Sequence, residues 1–388
     1  MQLFLQMFDP LLNMDWKNWV MFIVGAVLIL LAIKKDFEPM LLLPIGFGAI
    51  LVNLPHAIVW EHEGIRGFLG TFYDAGIITE LFPILIFIAI GAMIDFTHLL
   101  ASPKMMLFGA AAQFGIFFTI IVAIWLGQSF EIFSAINPVV ASAIGVIGAA
   151  DGPTSIVVAR QFAPDQLGAI SVAAYSYMAL VPIIQPPVIR ALTTKKERLI
   201  RMELRDVKIS RTALVIFPIA ITLVAGLLVP ESASLVGSLM FGNLIRECGV
   251  LERLSKAAQN ELSNLVTLLL GITIGATMQA DKFLQWETIG ILALGLVAFI
   301  FDTAGGVLFA KGLNLLTPKN KVNPMIGAAG ISAFPMSSRI VQRMAKEEDP
   351  TNFILMPAVS ANVSGQLGSV VAGGMILSIV PKILPMFF

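Results

Sequence analysis

Apolar runs of near-membrane length recur from one end of this 388-residue chain to the other, and they decide what it can fold into. A bilayer core about 30 Å thick is crossed by about 20 apolar residues in a helix. Such runs lie at 19–33, 39–54, 81–100, 104–127, 134–150, 165–192, 212–229, 233–247, 262–280, 288–310, 323–341 and 353–385. The pattern predicts an all-α polytopic membrane protein, a single integral membrane domain over 1–388 with ten to twelve membrane segments, some of them half-spans. Composition excludes the soluble enzyme folds, since 57% of residues are hydrophobic and only 13% are charged, against roughly 25% charged in a globular domain. The 25 basic and 25 acidic residues cancel, so no basic field for nucleic acid exists. One cysteine (Cys248) and three scattered histidines (His56, His62, His98) make neither a disulfide nor a zinc or haem framework. Residues 1–15 carry Asp9 and Asp15 without a basic residue, so the first run is expected to stay as a span anchored by Trp16 and Trp19 rather than to be cleaved as a signal.

Charge collects in one place. Between 193 and 211 the chain holds seven basic residues (Lys195, Lys196, Arg198, Arg201, Arg205, Lys208, Arg211) and three acidic ones. The positive-inside rule makes this segment a cytoplasmic loop; it either only sets topology or also docks a cytoplasmic partner. Lys311 to Lys321 is basic too, whereas KEED at 346–349 is mixed.

Two segments resemble each other. One unit, 137–190, opens NPVVASAIGVIGAADGPTSIV, and the other, 323–381, opens NPMIGAAGISAFPMSSRIV. Each starts at Asn-Pro and breaks at a proline (Pro153, Pro335) followed by small hydroxyl residues (Thr154, Ser155; Ser337, Ser338), the two spacings of 16 and 12 residues differing by about one helical turn. Downstream, YMALVPIIQPP (177–187) matches FILMPAVSANV (353–363). Paired Gly/Pro-interrupted segments in two halves mark the binding site of a transporter near the midplane. The repeats are inverted if an odd number of spans separates them, and the run boundaries leave that parity open.

Asp151 sits inside such an apolar stretch, where a carboxylate costs about 2.5–3.5 kcal/mol on insertion scales. A cation is its natural partner: a carboxylate, carbonyls freed at a helix break and side-chain oxygens form the hard-oxygen shell that sodium prefers. The second unit offers Asn323, Ser332, Ser337, Ser338 and Asn362, with Arg339 as its one strong charge. Asp151 is alternatively a structural partner of Arg339. Asp95 and Asp302 are weaker candidates, Asp302 as a residue lining the cavity. Tyr175 and Tyr177 are read either as interfacial anchors or as cavity-facing groups. The chain contains no G-x-x-x-x-G-K-[ST] loop and no H-E-x-x-H.

The motifs GAADGPTSIV (148–157), NPMIGAAGISAFPMSSR (323–339), ANVSGQLGSVVAGG (361–374) and KKDFEPMLLLPIGFGAILVNLP (34–55) resemble the beta subunit of the biotin-dependent, sodium-translocating decarboxylases, which act on oxaloacetate, methylmalonyl-CoA or glutaconyl-CoA. The resemblance covers essentially the whole chain. It implies a multi-pass subunit of the bacterial cytoplasmic (inner) membrane that decarboxylates carboxybiotin, consumes a proton and exports Na+. It further implies an elevator-transporter-like fold with inverted repeats, a homotrimer of this chain, and three partners: a carboxyltransferase alpha subunit, a biotin carrier protein and a small gamma or delta membrane subunit. The biotin comes from the carrier, since the chain has no MKM motif. Shortness at the amino end leans towards the acyl-CoA type. The family's functional residues match Asp151, Tyr177, Asn323, Gly327, Ser332, Arg339 and Asn362.

Joined to the physical reading, Asp151 is expected to bind Na+ as its anionic ligand, with Asn323, Ser332 and Asn362 as oxygen ligands and Gly327 at the same site. Tyr177, with an ordinary pKa of about 10, is expected to relay the proton. Arg339, with Ser337 and Ser338, is expected to hold the carboxylate of carboxybiotin through a bidentate guanidinium fork, or to pair with Asp151 when sodium is absent. A stand-alone sodium-coupled carboxylate carrier or Na+/H+ antiporter would use the same repeat and the same Asp.

Overall fold

The computed structural model describes residues 14–35, 38–55, 59–62, 64–134, 136–202, 209–318 and 320–383; Arg205 and Lys208 of the basic segment, with Asp9 and His56, lie outside them. The chain is a helical membrane protein whose described strands are two residues each, Glu61–His62 against Ile65–Arg66. By length and composition, six stretches can cross a bilayer. These are α1 (Trp16–Lys35), the stretch Pro103–Ser129, Pro164–Leu192, α9 (Arg211–Leu228), α12 (Trp286–Leu316) and α15 (Leu355–Ile383). The second holds α4 (Met106–Ala112) and α5 (Phe114–Ser129), and the third holds α8 (Leu167–Leu192). Phe68–Ile78 and α3 (Leu81–Met93) are bent by 61° at their junction and are either a broken span or a re-entrant loop. Shorter helices follow, α2 (Pro39–Val52), α6 (Pro138–Val146), α7 (Gly152–Phe162), α10 (Ala233–Glu247), α11 (Ser263–Ala276), α13 (Met325–Ala328) and α14 (Met336–Glu348); α7 lies between the expected runs at 134–150 and 165–192, and the others begin within the remaining runs.

Local sequence sets many of the starts. Pro39 and Pro138 occupy first turns, where a missing N–H costs nothing. The Asn137 side chain accepts from the amides of Val139 and Val140, at 2.9 and 3.0 Å, and opens α6. Thr194 and Glu197 form a reciprocal capping box at the start of the basic segment.

Packing divides the helices into two groups: α1, α2, α3, α9, α10 and α11 pack on one another, and α4–α8 with α12–α15 form the other group. The first group is built on glycine contacts, because helices in lipid gain from close backbone approach and not from hydrophobic exclusion. A Cβ on Gly91 of α3 would lie 1.8 Å from the Leu239 carbonyl oxygen of α10, and one on Gly242 would lie 2.0 Å from the Ile88 oxygen.

Ion pairs fix the directions of the second group. Arg190, Arg198 and Arg201 meet Glu347, Glu348 and Asp349 at 2.9, 2.6 and 2.7 Å, which joins the end of α14 to the end of α8. Lys311 donates to the Leu192 carbonyl at 3.0 Å and brings the end of α12 there too. Hydrogen bonds from the Thr351 hydroxyl and amide, together with Arg201, hold the Asp349 carboxyl down at about 2, so this pair stays ionised. At the opposite end Arg160 of α7 meets Glu80 at 2.7 Å, and Gly374 of α15 packs on Ser232, beyond the end of α9. α7 and α14 therefore point away from each other, and α8 runs antiparallel to α15.

Gly91→Ala is expected to push α3 off α10 at a cost of about 1–3 kcal/mol for overpacking, seen as a lower melting temperature of the detergent-purified protein. Gly312→Ala, where a new methyl meets nothing within 4 Å, serves as the control that should not fall.

Candidate functional site

The first break lies between α6 and α7. A 3-10 turn, Ile147–Ala149, leads to Ala150 in the left-handed region (φ 52°), and Asp151 then caps α7. Asp151 is buried, and its carboxylate is enclosed by donors: the Thr154 hydroxyl at 2.8 Å, Ser332 Oγ at 3.3 Å, Gln366 Nε2 at 3.1 Å and Ser369 Oγ at 2.6 Å all reach Oδ2. Oδ1 has only a long contact, 3.4 Å, from the Thr154 amide. Among the described residues no cation touches the carboxylate; it rests on neutral donors and a helix start, the positive end of the α7 dipole.

The second break meets the first directly. Ser332 donates its amide to the Ala149 carbonyl at 3.0 Å, and its hydroxyl lies 2.8 Å from that of Ser369. Asn362 donates to the Ile331 carbonyl at 2.7 Å, while its own Oδ1, buried, has no hydrogen-bond partner among the described residues. Asn362, Gln366 and Ser369 follow at i, i+4 and i+7, one stripe of α15. A mirror clamp exists on α8, where Gln185 donates to the Ala328 carbonyl at 2.8 Å and accepts from Ser337 at 3.0 Å. Each long helix thus reaches the break of the other unit, α15 through the Asp151 carboxylate and α8 through the Ala328 carbonyl, and α15 holds Ile331 of its own unit as well.

Of the residues expected at the ion site, the structure brings Asp151, Ser332 and Asn362 to one place. Asn323 is spent elsewhere: its amide donates to the Arg198 and Ile200 carbonyls at 2.9 and 2.8 Å, and its oxygen accepts from the Met325 amide, so it clamps the basic segment to the start of α13. Gly327 is pressed onto α12, where a Cβ would lie 1.9 Å from the Gly306 oxygen. The Tyr177 hydroxyl donates to the Leu292 carbonyl of α12. Tyr175 packs its ring on Gly152, next to Asp151, and its buried hydroxyl has no partner among the described residues.

Arg339 is exposed and does not pair with Asp151 in this structure. It shares the exposed face of α14 with Arg343 and Lys346, three cations at i, i+4 and i+7. Ser337 and Ser338 turn inward; Ser338 donates to the Pro335 carbonyl at 2.8 Å. Among the three residues expected to hold carboxybiotin, Arg339 alone has its polar head free. Sequence reasoning passed over Gln366 and Ser369, although both lie in a quoted motif. Their helical spacing from Asn362 was the signal.

Known proteins resemble this chain along nearly its whole length. The family described as "Na+-transporting oxaloacetate decarboxylase beta subunit" matches residues 17–380. The glutaconyl-CoA decarboxylase subunit beta of Acidaminococcus fermentans is 50% identical over 366 residues, covering 94% of each chain. The methylmalonyl-CoA decarboxylase subunit beta of Propionigenium modestum is 48% identical over 388 residues (95% of this chain, 96% of the relative). The oxaloacetate decarboxylase beta chain 2 of Salmonella typhi is 45% identical over 423 residues, with the same coverage. A polytopic helical chain with a buried carboxylate at paired helix breaks, alike to these relatives along nearly its whole length, belongs to the family of Na+-transporting decarboxylase beta subunits.

Proposed function

We propose that this chain binds Na+ at Asp151 and couples its export across a bacterial inner membrane to decarboxylation of carboxybiotin. The observation that carries the reading is the pair of oxygens left over where the two breaks meet: Asp151 Oδ1, with one long contact, and Asn362 Oδ1, with none. A hard monovalent cation takes such a mixed set of carboxylate, amide and carbonyl oxygens. The opposed directions of α8 and α15, and of α7 and α14, support reading 137–190 and 323–381 as inverted repeats. Together with the shorter helices they support a count of ten to twelve segments and an elevator-like movement of one helix group against the other.

Carboxybiotin, brought by a separate carrier, supplies the carboxyl that leaves as CO2. Towards it this chain presents Arg339 at the head of a basic stripe that continues through Arg343 and Lys346 to the end bearing the basic segment, which is taken as cytoplasmic. An exposed guanidinium fork suits a carboxylate, and the stripe suits an anionic head group arriving from that end. Tyr177, hydrogen-bonded to α12, is the candidate to pass the proton. A carboxyltransferase, the biotin carrier and a small membrane subunit complete the complex, with this chain as a trimer. The acyl-CoA substrate class is preferred because the alignments with the two acyl-CoA relatives run over 388 and 366 residues and that with the oxaloacetate relative over 423.

Asp151→Asn keeps an oxygen for the α7 cap and removes the charge. The expected result is an assembled complex that needs about tenfold more sodium or greater for half-maximal carboxybiotin decarboxylation, 1.4 kcal/mol or more; unchanged sodium dependence removes Asp151 from the ion site. For Arg339→Lys, bidentate recognition predicts a loss of about tenfold or more in turnover, whereas a bare charge requirement predicts near-normal rates. Avidin capture from solubilised membranes tests the assembly: a chain that transports sodium alone in liposomes and never co-purifies with a biotinylated protein is a stand-alone transporter instead.

A further inference from the structure

A second carboxyl group is buried in the helices around the break. Asp302 lies midway along α12 with none of its surface exposed. Its Oδ1 accepts the Ile116 amide at 3.1 Å and packs on Gly115, where a Cβ would lie 2.4 Å from it. Both residues lie in the first turn of α5, which restarts at Phe114 after an interruption at Gln113. Oδ2 has no hydrogen-bond partner among the described residues. It faces Gly148, where a Cβ would lie 2.5 Å from it and 2.7 Å from the Ala298 methyl. The wall around this oxygen is therefore hydrocarbon and the bare face of a glycine.

The contrast with Asp151 is informative. Asp151 Oδ2 receives four donors, as an ionised oxygen requires, whereas Asp302 Oδ2 receives none. Two carboxyl groups in opposed surroundings take opposed protonation states, and an ionised oxygen packed against hydrocarbon is disfavoured far more than a neutral hydroxyl there. Gly148 also belongs to the turn Ile147–Ala149 that runs into Asp151, so whatever moves the break moves the wall of Asp302. Among the described residues, the titratable groups facing this stretch of α12 are Tyr177 of α8, whose ring meets Gly295 about two turns away, and Asp151, three residues past Gly148. α4, α5, α6 and α13 present none.

We propose that Asp302 is a proton-binding site, carrying its proton on Oδ2, and that proton occupancy there is linked through Gly148 to cation loading at the Asp151 break. The linkage rests on Asp151 being the sodium site; the proton site does not. Linkage is reciprocal, so sodium binding must then depend on the protonation of Asp302.

The test is infrared spectroscopy of the purified complex. The carbonyl stretch of a protonated carboxyl should be present in the native complex, retained in Asp151→Asn and missing in Asp302→Asn. The amide oxygen of Asn still takes the Ile116 amide, so a merely structural cap predicts an unaltered spectrum in that region, and a band that persists in Asp302→Asn overturns the proposal. If that variant fails to assemble, Gly148→Ala replaces it. Its methyl displaces the carboxyl and should shift the band; an unshifted band is the contrary result. For the linkage, apparent sodium affinity is titrated at two pH values. Its pH dependence should shrink at least threefold in Asp302→Asn, and an undiminished dependence overturns the linkage. Sodium response left intact in Asp151→Asn sinks the sodium-site reading alone, since the band still reports on Asp302.

Discussion

Interrupting a helix at membrane depth leaves backbone groups and a carboxylate where no water can serve them, and everything else in the core of this protein answers that demand. The answer is crosswise. Gln366 and Ser369 of the second unit hold Asp151 of the first, Gln185 of the first holds Ala328 and Ser337 of the second, and the Ser332 amide joins the two breaks through Ala149. Each unit meets part of its own break, Thr154 on Asp151 and Asn362 on the Ile331 carbonyl, and depends on the other for the rest. The same arrangement suits the proposed ion site, because oxygens held rigidly for structural reasons are already in place before a cation arrives.

Charge is handled differently at the two levels of the protein. At the end bearing the basic segment, Arg190, Arg198 and Arg201 are matched by Glu347, Glu348 and Asp349. Two cations of the basic segment, Arg198 and Arg201, are thus matched on folding together with Arg190 before it, while Lys195 and Lys196 stay exposed and α14 turns Arg339, Arg343 and Lys346 outward. Within the membrane, by contrast, Asp151 and Asp302 have no cation beside them among the described residues. One is met by neutral donors and the other by the Ile116 amide and two glycines.

Much of this was readable from residue order. The paired Asn-Pro openings and the prolines at 153 and 335 located both breaks, because only a cavity-lining backbone tolerates such interruptions in an apolar run. Asp151, Ser332 and Asn362 followed as the polar residues with no cheap alternative location. Asn323 and Ser337 did not, since a buried amide or hydroxyl satisfies a backbone carbonyl as readily as it binds an ion, and residue type does not distinguish the two. Arg339 was placed as a possible partner of Asp151 on charge alone, whereas the helical phase of α14 turns it outward with Arg343. Gln366 and Ser369 escaped because their importance is relational: they matter only through the proximity of a residue some 215 positions earlier.

That separation has a consequence for how the protein is made. Ser369 donates to a carboxylate 218 residues upstream, and at about 5–20 residues per second of synthesis the acceptor precedes its donor by roughly 10–40 s. During biogenesis the first unit therefore enters or waits at the bilayer with its costliest group held only by Thr154 of the same unit, and α15 closes the core last. Truncation anywhere before α15 removes the clamp as a whole, and quality control that detects exposed intramembrane polarity would find in Asp151 a direct report on whether the chain was finished.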